Sequence, residues 1–383
     1  MSSRPHLHSV PLVGLGVALC LVVFGALACA ADPGGAGPSA PALEESPSPT
    51  IPEQAVLAST GDCSLDVRAT SSEGYLGEWE LRTRQRCPGP EGIDILALGD
   101  VGYPGERLQS SVAAMSTLCA QEGCDLVGVA GDLIYGPGDE AVAVWRGVWD
   151  EAIATLGLPG LTVLGNHEYR HEPNPHLKRK AVYAADKRSG LILPGPSYVA
   201  RLRNGEKTLL SVAAIDSDSI ANPGPKMPDG AAATLAAACG DAAPVLVVGH
   251  HPPTSQGRHH SHEAHVESAL RTLLINAPEG CDIVAYLAGH DHDLQAYGPG
   301  CEEPGTPPVI VSGVAARGFR GPGPQHLPQC ARPDIPSTYH AGPSEDGGFV
   351  WLRIPLTGTS PTQAVLYQVP VGAPARELTR IEW

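Results

Sequence analysis

The sequence predicts an α/β fold built as a two-sheet β-sandwich flanked by helices. From Ile93 onward, compact apolar runs alternate with segments of helical periodicity. Further strand-like runs follow towards the C-terminus with no helical pattern between them. Short polar motifs stand just after apolar runs, where the strand ends of an α/β sheet gather their ligands.

In chain order, residues 1–28 read as a signal peptide. Arg4 precedes an almost wholly apolar run from Val10 to Ala28 that closes on small residues. The rival reading is a permanent membrane anchor; the small residues and the polar stretch behind them favour cleavage. Cys29 follows Ala26-Leu27-Ala28 much as in a bacterial lipoprotein box, with Ala26 where leucine is more usual. A lipid anchor at Cys29 and plain secretion are both open, and either way the protein is expected to be exported. Residues 29–55, rich in Pro, Ala, Gly, Ser and Glu, form a low-complexity tether. Residues 56–90 are a small N-terminal β extension. Within it Leu65–Val67 and Tyr75–Leu81 read as a hairpin without chemistry of its own.

Residues 91–383 make the main domain. Ile93–Leu98 is a strand, and Leu108, Val112, Met115 and Leu118 recur at helical spacing. Asp125–Ala130 is a strand, Glu140–Leu156 a helix carrying Trp145 and Trp149, and Leu161–Leu164 the third strand. Thr208–Ile215, Pro244–Val248 and Ile283–Ala288 are further strands. Val309–Ser312, Gly348–Ile354 and Ala364–Val369 suggest the second sheet.

The formal net charge of −16 argues against nonspecific binding of nucleic acid and gives no general attraction for anionic substrates. A site that handles anions would need its own positive charge, and metal ions would supply it. Outside Cys20 and Cys29, eight cysteines remain, an even number that suggests disulfides in an exported chain. Proximity favours Cys63 with Cys87, Cys119 with Cys124, and Cys301 with Cys330; a cysteine metal site would need CxxC pairs, and the sequence has none.

Five motifs carry the chemistry: Gly99-Asp100-Val101-Gly102, Gly131-Asp132-Leu133-Ile134-Tyr135, Gly165-Asn166-His167-Glu168, Gly249-His250 and Gly289-His290-Asp291-His292. They offer Asp100, Asp132, Tyr135, Asn166, His250, His290 and His292, more oxygen and nitrogen donors than one transition metal needs. Two cations roughly 3.5–4 Å apart need a shared carboxylate, for which Asp132 is the natural candidate. Tyr135 offers a hard phenolate and so favours a trivalent ion, most simply Fe(III).

This ordered set resembles the purple acid phosphatases of the calcineurin-like metallophosphoesterase superfamily, whose fold is a helix-flanked sandwich of two sheets. The run Gly289 to Gln295 is similar to the tartrate-resistant, mammalian-type branch, as are the region around Tyr198 and Gly347-Gly348-Phe349. The resemblance spans about Ile93 to the C-terminus. It implies that Asp100, Tyr135 and His292 hold a ferric ion and that Asp132 bridges. Asn166, His250 and His290 would then hold a divalent ion, Fe, Zn or Mn. Ordinary members of the superfamily carry a histidine two residues after the first aspartate; here Gly102 stands there and Tyr135 is supplied instead, which marks the purple branch. In such a centre a metal-bound hydroxide attacks phosphorus at acidic pH. The resemblance also implies His259 as the acid that protonates the leaving alcohol and His167 as a residue orienting the substrate.

Blander readings hold elsewhere. His251, His262 and His265 are given no role, and Asp139, Asp216 and Asp218 read as turn residues. Lys178, Arg179, Lys180, Lys187 and Arg188 read as a solvated basic face rather than a substrate-attracting rim. The expected activity is hydrolysis of phosphate monoesters, on a phosphorylated small molecule or a phosphoprotein. The alternatives are a phosphodiesterase of the same superfamily or a catalytically silent metal-binding surface protein. Oligomeric state is left open.

Overall fold

Strands made almost wholly of apolar residues are buried on both faces, and Ile93–Leu98, with Asp94 its one polar residue, and Leu126–Ala130 are so buried, each in the middle of a sheet. The computed structural model describes residues 62–69, 80–89, 91–169, 174–183, 190–221, 229–321, 330, 332, 334–357 and 360–383, all within one unit, Val56–Trp383. The signal peptide, the tether and the Tyr75–Trp79 part of the expected hairpin lie outside the described residues.

The chain opens with β1 (Asp62–Ala69), β2 (Glu80–Arg86), β3 (Ile93–Leu98), α1 (Glu106–Glu122), β4 (Leu126–Ala130), α2 (Ala141–Val148) and β5 (Gly160–Val163). It continues through α3 (Asn166–Tyr169), α4 (Pro175–Tyr183), β6 (Leu191–Ile192), β7 (Tyr198–Asn204), β8 (Lys207–Ala214), α5 (Ser217–Ala221) and α6 (Asp229–Ala238). Then come β9 (Val245–Val248), α7 (His260–Ile275), β10 (Ile283–Ala288), β11 (Leu294–Tyr297) and β12 (Val309–Ser312). The last strands are β13 (Ser337–His340), β14 (Gly347–Ile354), β15 (Gln363–Val369) and β16 (Arg376–Glu382).

Two mixed sheets result, as the α/β sandwich reading expects. One has the order β16-β15-β14-β3-β4-β5-β6, the other β13-β11-β12-β10-β9-β8-β7-β1-β2. Within them β3, β4, β5 and β6 are parallel neighbours, and so are β8, β9, β10 and β12. Apolar side chains of both parallel blocks, among them Ile95, Ala97, Val212, Leu246 and Leu287, fill the core between the sheets. A second cluster packs Val199, Val245, Val247 and Tyr286 against Leu235 of α6 and Val266, Leu270 and Leu274 of α7.

Two expectations change. The late strands do not form a sheet together: β14 pairs antiparallel with β3 and draws β15 and β16 into the first sheet, whereas β12 joins β10 in the second. The hydrogen-bonding edge of β3 that faces away from β4 has to be covered, and β14 covers it in the register Val350↔Ala97. The helix expected over Glu140–Leu156 also breaks. After Val148 the amides of Glu151 and Ala154 bond the carbonyls of Arg146 and Trp149, five residues back in each case. That widening lets Trp149 stack on Trp145 and lie buried against Gly160. At the other end, β1 pairs with β7, so the β1–β2 hairpin is the edge of the nine-stranded sheet.

The three proximal disulfides, Cys63–Cys87, Cys119–Cys124 and Cys301–Cys330, are all present, and a fourth joins Cys239 to Cys281. This last one ties the end of α6 to the start of β10, 42 residues apart. Loop-closure entropy gives it about 4 kcal/mol. Replacing both cysteines with alanine is expected to lower the denaturant-derived unfolding free energy by about that amount, and a change under about 1 kcal/mol would refute it. The disulfides are compatible with an exported protein. Among the described residues no helix is long and apolar enough to cross a membrane.

Candidate metal centre

Each motif begins where a central parallel strand ends. Asp100 follows β3, Asp132 follows β4, Asn166 follows β5, His250 follows β9 and His290 follows β10. The two sheets approach each other at these ends: a Cβ on Gly99 would lie 2.8 Å from the Gly289 Cα. The small residue that opens these motifs is therefore a packing requirement of the sandwich. The residue after it then turns sharply, and Asp100, Asp132 and His290 all have positive φ, at 56°, 52° and 70°. Non-glycine residues held there are strained, a mark of functional turns.

The seven candidate donors converge in two groups that share Asp132. In one, the Tyr135 hydroxyl donates to Asp100 Oδ1 at 2.6 Å and to Asp132 Oδ2 at 2.9 Å, and lies 3.4 Å from His292 Nε2. His292 Nε2 is itself 3.1 Å from Asp100 Oδ1. In the other, Asn166 Oδ1 is 2.8 Å from His250 Nε2 and 3.1 Å from His290 Nδ1. His250 Nε2 is 3.3 Å from Asp132 Oδ1, so the two Asp132 oxygens face different groups. All seven side chains are buried.

The surroundings orient these donors. His250 Nδ1 is 2.8 Å from the Ala130 carbonyl, so its N–H is spent there and Nε2 keeps its lone pair for the centre. Ser217 Oγ accepts the amides of His250 and His251. Glu168 accepts the amides of Leu133 and Ile134 on one oxygen and that of Gly165 on the other, joining the second motif to the third. Burial, then Asp132, pushes the Glu168 carboxyl up to about 8, against the backbone amides and Lys178. Lys178 corrects the solvated-face reading: it is fully buried and its Nζ donates to the His167 carbonyl, while Arg179 donates to that of Glu168. Lys187 and Arg188 lie outside the described residues.

Electrostatics follow from crowding. Burial, with Asp100 and Asp132 beside it, holds the Tyr135 phenol well above its ordinary value. Burial would likewise raise Asp100, but His292, then His250 and the Tyr135 hydroxyl, bring it below the usual carboxylate range. Both effects are those of groups competing for positive charge. His167 sits against the Tyr135 ring, centroids 4.3 Å apart, with Nε2 3.9 Å from Asp132 Oδ2. Burial lowers it to about 4 despite Asp132 and Asp100. The His259 ring is 4.4 Å from that of His290 and 6.4 Å from that of His292. Its amide donates to Asp291 Oδ1, and Ser255 donates to the other Asp291 oxygen. His262 has no described side chain, and His265 is exposed.

Glu168 and Asp291 thus shape the site although sequence reasoning gave them no part. The signal was present, since both lie inside the motifs. Arg317 was missed for a better reason, standing outside every motif; its guanidinium lies 4.7 Å from the ring centroids of both Tyr103 and Tyr135.

The donors fit a pair of cations. They are hard oxygens and imidazole nitrogens, oriented from behind, with a carboxylate placed to face both groups. His292 Nδ1 is buried with no hydrogen-bond partner among the described residues, and its Nε2 is aimed at Asp100 and Tyr135. Among the described residues no three of His, Cys, Asp and Glu alone are arranged to hold an ion; Tyr135 and Asn166 complete the two groups.

The fold is similar to that of GAP50, the anchor in the inner membrane complex of Plasmodium, with a TM-score of 0.56 and 15% identity over 76% of this chain and 88% of that one. A dimetal phosphatase from Danio rerio gives a TM-score of 0.44 and 12% identity over 76% of this chain and 99% of that one. No curated protein sequence matches the chain. The family model for calcineurin-like phosphoesterases matches residues 93–294. That span runs through all five motifs and covers more than half of the 383 residues, so the chain belongs to the calcineurin-like phosphoesterase family and is a metal-dependent phosphoesterase.

Proposed function

We propose that the protein is an exported phosphatase of the purple acid type, hydrolysing phosphate monoesters at acidic pH with Fe(III) and a divalent ion. The observation that carries this is steric. A Cβ at Gly102 would lie 2.7 Å from both Tyr135 Cδ2 and the Tyr135 amide nitrogen. A histidine at position 102 would thus run into both the ring and the backbone of Tyr135, and this chain has glycine at 102 and the tyrosine at 135. Asp100, Tyr135 and His292 would hold the ferric ion, Asp132 would bridge, and Asn166, His250 and His290 would hold the divalent ion.

When bound, the cations supply Lewis acidity towards the phosphoryl oxygens and acidify water. The chain supplies the rest. In this reading His259, half-buried beside His290, gives a proton to the leaving alcohol, and Asp291 holds its backbone amide. His167, held neutral by burial through most of the acidic range, orients the ester by hydrogen bonding. Residues 1–28 would direct export and residues 29–55 tether the domain, from a lipid on Cys29 or, after secretion, from nothing.

Purified protein is expected to show a visible tyrosinate-to-iron band, iron on analysis, and turnover of p-nitrophenyl phosphate that is highest below pH 7. Tyr135→Phe should abolish the band. A colourless, iron-free wild type would overturn the purple reading, and activity on the bis ester alone would reassign the enzyme to diesters.

A further inference from the structure

In a chain of net charge −16, two arginines stand beside donors of the centre, Arg317 against the Tyr135 ring and Arg320 with its backbone amide on the His292 carbonyl. Among the described residues neither is paired with a carboxylate. Arg317 is fixed on two sides. Its Nη1 donates to the Tyr103 hydroxyl, and its guanidinium lies beside the stacked rings of Tyr103 and Tyr135, whose centroids are 4.6 Å apart. Arg320 is exposed, and its backbone amide donates to the His292 carbonyl at 2.9 Å.

The loop that carries both residues is held from behind. Arg107 of α1 donates to the carbonyls of Ala316, Ser344 and Glu345, and Ser111 donates to that of Ala315. Gly318 adopts a φ of +78°, and a Cβ there would run into the Ser344 carbonyl. An α1 arginine, a left-handed glycine and a cation–aromatic contact thus fix the loop and the Arg317 guanidinium, and the Arg320 amide is held on His292 while its side chain is free to reach a ligand. Like charges held close without partners disfavour the folded state, and such departures from local stability collect where a ligand of opposite charge is bound. The metal centre can neutralise one phosphate; it has no reach over a second anionic group on the same substrate.

We infer that Arg317 and Arg320 form a second anion-binding subsite beside the metal centre, which takes the further negative group of a phosphate ester that carries one, either another phosphate or a carboxylate. This rests on the phosphatase reading and narrows it: the preferred substrates carry two anionic groups, and Tyr103, 41% exposed, lies against Arg317 beside the Tyr135 ring.

Binding of non-hydrolysable probes to the full chain with its metals tests it, by titration calorimetry. Propane-1,3-diphosphonate is compared with propylphosphonate, and 3-phosphonopropionate with ethylphosphonate, so that the two arms tell a second phosphate from a carboxylate. The dianionic member of at least one pair should bind about ten-fold or more tightly, the worth of a charge-assisted bidentate contact. In R317Q/R320Q that ratio should fall to about two-fold or less. Should the double variant fold poorly, R320Q alone, altering an exposed side chain, must still lower the ratio. Ratios near one in the wild type, or ratios that survive the substitutions, overturn the subsite. Turnover of p-nitrophenyl phosphate by the wild type, measured separately, shows whether the phosphatase reading stands, and the binding ratio decides the subsite either way.

Discussion

Asp132→Asn is expected to lower kcat/KM towards p-nitrophenyl phosphate by about a thousand-fold, on the scale of losing one preorganised charge-stabilising group. The protein should also be purified with less than its full metal. Asp132 faces both donor groups, Oδ2 to Tyr135 and Oδ1 to His250, and Oδ1 also accepts the His167 amide at 3.0 Å. Asparagine keeps the shape and can keep the bond to the His167 amide, so the fold should persist while the charge between the two cation positions is lost. Steady-state kinetics and metal analysis check this together. Activity within ten-fold of wild type at full metal content would remove the two-cation reading, whatever the family.

Gly102→Ala should lower stability by about 3 kcal/mol, at the upper end for overpacking, and the melting temperature by roughly 6 °C or more. The added Cβ would meet the Tyr135 nitrogen at 2.7 Å and the Ile134 nitrogen at 2.8 Å. Neither can yield easily. Gly102 N bonds the Asp132 carbonyl, Tyr135 N bonds the Gly102 carbonyl, and Glu168 holds the Ile134 amide. The same change at Gly105, where a Cβ would meet nothing within 4 Å, is the control and should cost under about 0.5 kcal/mol. Because the strain falls on Tyr135, the visible band should shift or vanish in Gly102→Ala only. Equal melting temperatures for the two variants would show that position 102 is not constrained by the tyrosine.

The central strands were legible because burial on both faces leaves them almost wholly apolar, so Ile93–Leu98, with Asp94 its one polar residue, and Val245–Val248 announce themselves. Their partners were not. β14 reads as a strand from its own residues, yet nothing local says that it pairs with β3 across the whole domain rather than with β12. The break after Val148 was hidden for a similar reason: helical periodicity marks where apolar side chains fall, not whether Trp149 needs a wider turn to reach Gly160.

For the site, the identity of the donors was written in the motifs, since only strand-end residues of those types suit cations held by oxygen and nitrogen. Their partition into two groups came from the resemblance and not from residue type or spacing. That Asp132 turns one oxygen to Tyr135 and the other to His250 depends on two sheets meeting at Gly99 and Gly289, a distance no sequence spacing encodes. Lys178 shows the limit most plainly. In sequence it sits in a run of bases that reads as solvated, and in the fold it is buried with its Nζ on the His167 carbonyl, because α4 packs against α3. Residue chemistry alone determined which groups could bind metal, and the resemblance paired Gly102 with Tyr135. The tertiary structure decided which candidate donors face one another, why position 102 has no room for a Cβ and where Arg317 stands, because contacts between elements distant in sequence are set by packing.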